Sequence, residues 1–216
     1  MRLLIFGPPG SGKGTYSSRI EERIDVEHIE TGDIVREMME KNNELGERIG
    51  EYVNKGKLVP DEIINDVVKR KLEEIGMNNF ILDGYPRTVE QAKFLDGITN
   101  LDVLISLDVE DEILIERLSS RRVCKNCGEV YNKLFLKPEK QGVCDKCGGE
   151  LYQRDDDKPE VIKDRIETYE KKSEPVLDYF EGELPFVVLE CKRVSPPVEE
   201  MVDKIMEKLR EKGLVS

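Results

Sequence analysis

The sequence predicts an α/β protein with a doubly wound, parallel five-stranded sheet, interrupted by one helical and one small β-rich insertion. Three observations predict it: short apolar runs alternate with longer helical patterns, the runs are apolar on both faces, and two long segments break the alternation. Strands apolar on both faces belong to sheets covered by helices on two sides. Strand–helix alternation is the pattern of parallel sheets joined by crossovers.

In chain order, strands are expected at Arg2–Phe6, Val26–Ile29, Phe80–Asp83, Val103–Val109 and Phe186–Glu190. Helical periodicity marks Asp61–Glu74, Val89–Leu95, Glu112–Arg121, Glu160–Phe180 and Val198–Lys212. Ser195 is placed to cap the last helix, Pro196 and Pro197 fit its first turn, and Gly213 ends it. Pro175 is expected to kink or split Glu160–Phe180. Thr31–Val59 reads as two polar helices, longer than an ordinary crossover. Arg122–Asp157 holds four of the five cysteines and short alternating runs such as Glu129–Asn132, as in a β-rich unit held by something other than an apolar core.

Length and charge bound the function. The 216 residues suit one core with insertions. The formal charge of −12 argues against a general nucleic-acid binder, which needs a basic face. Charged residues make up 37% of the chain, as on the ion-paired surface of a heat-adapted protein. Apolar runs are too short to span a membrane, and that in MRLLIFGPPG is too short for a signal peptide, so a soluble, cytoplasmic protein is expected.

GPPGSGKGT (Gly7–Thr15) follows the first strand and opens a helix. Gly7, Gly10 and Gly12 allow close backbone approach, and the amides then form an anion cradle at the positive end of the helix. Lys13 is expected to reach the outer phosphates. Where such loops usually carry Ser or Thr, to hold Mg²⁺ through a hydroxyl, this chain has Gly14, with Thr15 one residue later. The metal must therefore depend on Thr15, on water, or on acids elsewhere. Asp83 ends the third strand at the ligand-binding edge, and Asp33 is the second candidate.

Cys124-x₂-Cys127 and Cys144-x₂-Cys147, sixteen residues apart, match a structural Zn²⁺ site of four thiolates, although iron also fits such a set. Four protein ligands leave no open position for a substrate. Metal closure would replace the core that so small a unit lacks. Cys191 reads as a buried small hydrophobe. The single histidine, His28, reads as a packed residue and not a catalyst.

Together, the GxPGxGKGT loop, TGD at Thr31–Asp33 with Arg36, KLVPDE at Lys57–Glu62, LDGYPRT at Leu82–Thr88 with Gln91, RLSSRR at Arg117–Arg122, and RDDD at Arg154–Asp157 with Arg165 resemble the adenylate kinase family, in its long form with a metal-bearing lid. The resemblance covers nearly the whole chain. It implies reversible transfer of the terminal phosphoryl of ATP to AMP, giving two ADP, by a cytoplasmic monomer that uses Mg²⁺ with ATP and structural Zn²⁺. It implies a core (1–29, 60–120 and 159–216), an AMP-binding insertion (30–59) and a lid (121–158).

Residue by residue, it implies that Gly10, Ser11, Gly12, Lys13, Gly14 and Thr15 hold ATP phosphates, with Arg121 and, as an additional contact, Arg117. Val130 and Tyr131 would face ATP from the lid, and Pro196 its adenine. AMP would be held by Thr31, Arg36, Lys57, Leu58, Val59, Gly84, Tyr85, Pro86, Arg87 and Gln91, with Arg154 and Arg165 between AMP and the transferring group. Lys13, Arg87, Arg121, Arg154 and Arg165 form the expected catalytic set, with Asp83 and Asp33 holding Mg²⁺ through water. Departures from the family pattern are Tyr16 in place of a common Gln, Ser120 in place of Gly, and Val194–Ser195–Pro196 in place of an Asp-Gly turn. Kinases for UMP, CMP or GMP are the nearest rivals. A zinc-ribbon module that uses nucleotide as a switch is a rival of another class.

Overall fold

The protein is described by a computed structural model covering residues 1–40, 44–55 and 57–215. Its five parallel strands are β1 (Arg2–Phe6), β2 (Glu27–Glu30), β3 (Phe80–Asp83), β4 (Val103–Val109) and, numbered last in the chain, β8 (Phe186–Cys191). They are ordered β2–β3–β1–β4–β8, so the doubly wound sheet stands as expected. Alternation along each strand divides the core in two. Leu3, Ile5, Ile81 and Ile105 face one layer, while Leu4, Phe6, Leu82 and Leu104 face the other. Each side chain fully buried there contributes about 1.5–3 kcal/mol.

Helix α1 (Lys13–Glu21) leaves the phosphate loop, with Gly12 at its start in the left-handed region, φ 103°. The insertion is two helices, α2 (Thr31–Glu40) and α3 (Glu44–Val53), followed by α4 (Asp61–Glu74). Helix α5 (Val89–Asp96) is capped by Thr88, whose hydroxyl accepts from Gln91 N at 3.1 Å. Helix α6 (Asp111–Ser120) follows β4 and leads into the lid.

The lid is an antiparallel sheet of β5 (Arg121–Cys124), β6 (Val130–Asn132) and β7 (Leu151–Tyr152), with β5 central. Its apolar nucleus is small: Cys124, Tyr131 and Cys144, with Leu151 beside them. The chain returns through a short turn at Asp155–Asp157 to α7 (Pro159–Thr168).

As expected at Pro175, Glu160–Phe180 is split: a π-helical turn at Tyr169–Ser173 separates α7 from α8 (Pro175–Phe180), because Pro175 lacks the N–H that would continue the ladder. Three local expectations are corrected. Strand β2 starts one residue later than expected and extends to Glu30. The last helix, α9 (Val198–Glu211), starts after both prolines, so neither lies in its first turn. Its N-cap is Pro197, not Ser195, and no side chain caps it. At its other end Gly213, at φ 69°, closes the helix through Gly213 N to Arg210 O and Leu214 N to Leu209 O.

Candidate active site

The carboxyl ends of β1, β2 and β3, the lid and the helical insertion enclose a cleft of about 280 Å³. The phosphate loop forms its floor. Gly14 has a tight surrounding: a Cβ there would stand 3.2 Å from Glu30 Oε2 and 3.4 Å from Asp83 Oδ2. The Cβ of the usual Ser or Thr would therefore crowd the Glu30 carboxylate and touch that of Asp83. Lys13 Nζ donates to the carbonyls of Gly7 (2.8 Å) and Pro8 (3.0 Å). Burial draws its ammonium down to about 8, Arg87 and Arg165 push the same way, and Asp83 and Glu30 offset part of the shift. Ser11 is fully buried and its hydroxyl finds no partner.

On the side of the insertion, Thr31 donates from Oγ1 to Asp83 O at 3.0 Å, tying the start of α2 to the end of β3. Arg36 donates to Glu30 Oε1 at 2.9 Å and also pairs with Asp33. Burial alone would lower the Arg36 pKa, but Asp33 and Glu30 outweigh it and raise it. Arg87 is held from both ends: its Nε donates to Gly84 O at 2.6 Å, and its backbone N donates to Gln91 Oε1 at 2.7 Å. Gln91 in turn donates to Asp61 at 2.7 Å, so this buried amide fixes the loop that carries Arg87. The Tyr85–Pro86 peptide is cis. Lys57, Leu58 and Val59 also line the cleft.

From the lid and its return, Arg121 meets Asp157 through two bonds, Nε to Oδ2 at 2.8 Å and a terminal N–H to Oδ1 at 2.6 Å. Arg165 donates to the same Oδ1 at 3.1 Å and pairs with Asp156 at 2.9 Å. Burial holds Arg165 down to about 10. Arg154 is the least satisfied of the set. It is buried, its Nε has no partner, and its nearest carboxylate oxygen, on Asp33, is 3.7 Å away. Burial, Arg121 and Arg36 all lower its pKa. A buried guanidinium short of counter-charge is built for an anion.

Three expected ligands sit differently. Arg117 spends all five N–H donors on Val194 O, Gly10 O, Ser11 O, Arg193 O and Cys191 Sγ, at 2.8–3.4 Å. It ties the phosphate loop to the β8–α9 turn instead of offering a fork to phosphate. Tyr131 points away from the cleft because strand side chains alternate. Val130 and Asn132 face the cleft, while the Tyr131 hydroxyl accepts from Asp145 N at 2.8 Å. Asp33 is engaged by Arg36 and Arg154. The carboxylate beside Asp83 is Glu30, which the sequence reading missed. The signal was available: both strands end in an acid, and the register pairs Glu30 with Asp83. Pro196 lines the cleft.

The histidine is more than packing. His28 Nε2 lies 3.5 Å from Asp83 Oδ2. Burial would lower the imidazole pKa, but Asp83, Glu30 and Glu21 outweigh it and raise it. Cys191 is buried against Arg117, so it carries a contact as well as filling space.

In the lid the four sulfurs lie within 4.8 Å of one another, with Sγ–Sγ distances of 3.4, 3.6 and 3.3 Å for 124–147, 127–144 and 127–147. A tetrahedral ion with metal–sulfur bonds of about 2.3 Å separates its sulfurs by about 3.8 Å, close to this spacing. Gly149 packs under Cys124 Sγ, where a Cβ would come within 2.8 Å. The cluster therefore fits a metal ion by donor type and by spacing.

The family model for adenylate kinase matches residues 5–184 of the chain. Among curated proteins, the chain is 49% identical to the adenylate kinase of Petrotoga mobilis over 83% of this chain and 85% of that one. It is 43% identical to the Caldicellulosiruptor bescii adenylate kinase over 99% and 100%, and 40% to that of Archaeoglobus fulgidus over 97% and 100%. The chain belongs to the adenylate kinase family.

Proposed function

We propose that the protein transfers the terminal phosphoryl group of ATP to AMP, reversibly giving two ADP. One observation carries the reading: a phosphate loop and five arginines from four separate sequence motifs, Arg36, Arg87, Arg121, Arg154 and Arg165, line a single cleft. Phosphoryl transfer has a loose transition state with charge spread over equatorial oxygens, so cations and positioning supply most of the catalysis. Lys13 and the loop amides would take the outer phosphates of ATP. Arg36 and Arg87 would take the AMP phosphate, while Arg121, Arg154 and Arg165 close over the group in transit. Thr31, Lys57–Val59 and Gly84–Gln91 shape the acceptor side, and Val130 and Pro196 the donor side.

Asp83, with Glu30 beside it, is the acidic pair that would hold Mg²⁺ at the loop. Bound there, the ion supplies neutralisation of the β and γ oxygens. The Cys124, Cys127, Cys144 and Cys147 thiolates would hold Zn²⁺ in a structural role, because no ligand position is left open. The 121–158 lid closes over both nucleotides and excludes water as a competing acceptor, and 30–59 acts as the acceptor-binding flap. Reduced thiols at this site suit the cytoplasm. No helix among the described residues is long and apolar enough to cross a membrane.

The test is a coupled assay of ADP formation from ATP and Mg²⁺ with AMP, UMP, CMP and GMP as acceptors. Turnover with AMP well above the others is the expected result. Turnover confined to another acceptor would transfer the assignment to that nucleotide, and no turnover in either direction would end the kinase reading.

A further inference from the structure

We propose that Ser173 is a positioning residue: presented by the π-helical turn between α7 and α8, its hydroxyl sets Arg87 against the phosphate loop. Ser173 is buried, and its Oγ donates to Arg87 O at 3.0 Å across 86 positions of sequence. In an ordinary helix a serine hydroxyl often returns to the carbonyl four residues back. Here that carbonyl, Tyr169 O, accepts from Glu174 N at 2.9 Å, the five-residue bond of a π turn. The Ser173 hydroxyl reaches out of its own segment instead.

Both nucleotide loops lean on this turn. The Tyr169 ring packs on Phe6, with centroids 5.8 Å apart, and Phe6 ends β1 directly before the phosphate loop. Ser173 holds the loop that carries Arg87. Arg165 belongs to the same segment, in α7, and lines the cleft with Tyr169, Ser173 and Arg87. One stretch of chain thus spaces Arg87 from the phosphate loop and from Arg165. That spacing matters because Arg87 and Arg165 both act on the Lys13 ammonium, so three cations converge on one place.

The other holds on Arg87 are local. Its N donates to Gln91 Oε1 at 2.7 Å and its Nε to Gly84 O at 2.6 Å. The guanidinium lies over Gly84, where a Cβ would stand 2.8 Å from one of its terminal nitrogens. These bonds shape the Gly84–Gln91 loop, and the bond from Ser173 places that loop against another element. A hydroxyl that served the fold alone would affect both nucleotides alike, whereas one that seats Arg87 affects the acceptor. The effect on catalysis rests on the kinase reading; the seating of Arg87 does not.

The experiment compares full-length, zinc-loaded wild type, Ser173→Ala and Ser173→Thr. In ¹⁵N-arginine-labelled protein without nucleotide, the Arg87 Nε–H is identified by its absence in Arg87→Lys. It should exchange with solvent at least about fivefold faster in Ser173→Ala, the scale of one net hydrogen bond, and at the wild-type rate in Ser173→Thr. In the ADP-forming assay, Ser173→Ala should raise KM for AMP about fivefold and leave KM for ATP unchanged, and Ser173→Thr, which keeps the hydroxyl, should restore it. Should Ser173→Ala lose its fold, Ser173→Cys, close in size and a weak donor, takes its place. Unaltered exchange, an unaltered KM for AMP, equal rises in both KM values, or a folded Ser173→Thr that behaves like Ser173→Ala overturns the proposal. Absence of turnover in the wild type would end the kinase reading, and the exchange rates would still decide the seating of Arg87.

Discussion

Asp157, whose side chain is wholly buried, joins Arg121 to Arg165: both of its oxygens accept from Arg121, and Oδ1 also accepts from Arg165. One carboxylate at the lid's return thus fixes an arginine from its entry and another from the core. Removing it leaves two positive groups facing each other. Asp157→Ala is expected to lower unfolding stability by about 2 kcal/mol. That lies below the usual cost of breaking a buried pair because both arginines border the wet cleft. Urea unfolding with zinc present checks it, and an unchanged midpoint would deny the carboxylate this role.

Arg154 carries the strongest unmet demand for an anion. Arg154→Ala should reduce kcat on the order of 10³, the scale of arginines that act on a transferring phosphoryl group. Arg117→Ala should behave differently, because its donors are spent on carbonyls and a thiol. It should lower thermal stability and weaken ATP binding while AMP binding is kept. Equal losses of kcat in both variants, with no loss of stability in Arg117→Ala, would contradict the separation.

Lys13 gives a pH dependence with a definite sign. Its folded pKa of about 8 lies below the ordinary 10.5, so between these values the unfolded chain holds the extra proton. Stability of the ligand-free protein therefore gains from this group as pH rises through that window. Nucleotide phosphates reverse the shift, so ATP binding should take up a proton at pH 8–9 and weaken above it. Titration calorimetry in buffers of different ionisation enthalpy measures that uptake. No uptake in this range would remove Lys13 from the phosphate site.

Metal removal should divide the molecule. The lid's apolar nucleus is a few residues around the cysteines, whereas the sheet buries two full layers. Chelation, or Cys144→Ser, should abolish the lid's protection against hydrogen exchange and cut activity, leaving amides of β1, β3 and β4 protected. Loss of protection in those strands as well would show the lid and core to fold as one unit.

The sheet was legible because buried parallel strands are unbroken apolar runs: Arg2–Phe6, Phe80–Asp83 and Val103–Val109 were delimited to the residue. The glycine-rich loop and the cysteine pairs were legible because anion cradles and four-thiolate sites have characteristic local spacings. What escaped depended on neighbours remote in sequence. Glu30 meets Asp83 only once β2 lies beside β3. Arg117 looked like a phosphate ligand until the β8–α9 turn supplied carbonyls for its donors. Tyr131 faces away from the cleft for a local reason, since successive residues of a strand point to opposite faces and Val130 takes the cleft side.

Arg117 also sets the order in which the protein can become competent during synthesis. Gly10 and Ser11 come 107 and 106 residues before the arginine that braces their carbonyls, and that arginine is itself anchored by Cys191, Arg193 and Val194. A nascent chain stalled before those three residues would hold every arginine of the cleft and still lack a seated loop. The brace on the loop is therefore completed only once Val194 has been made.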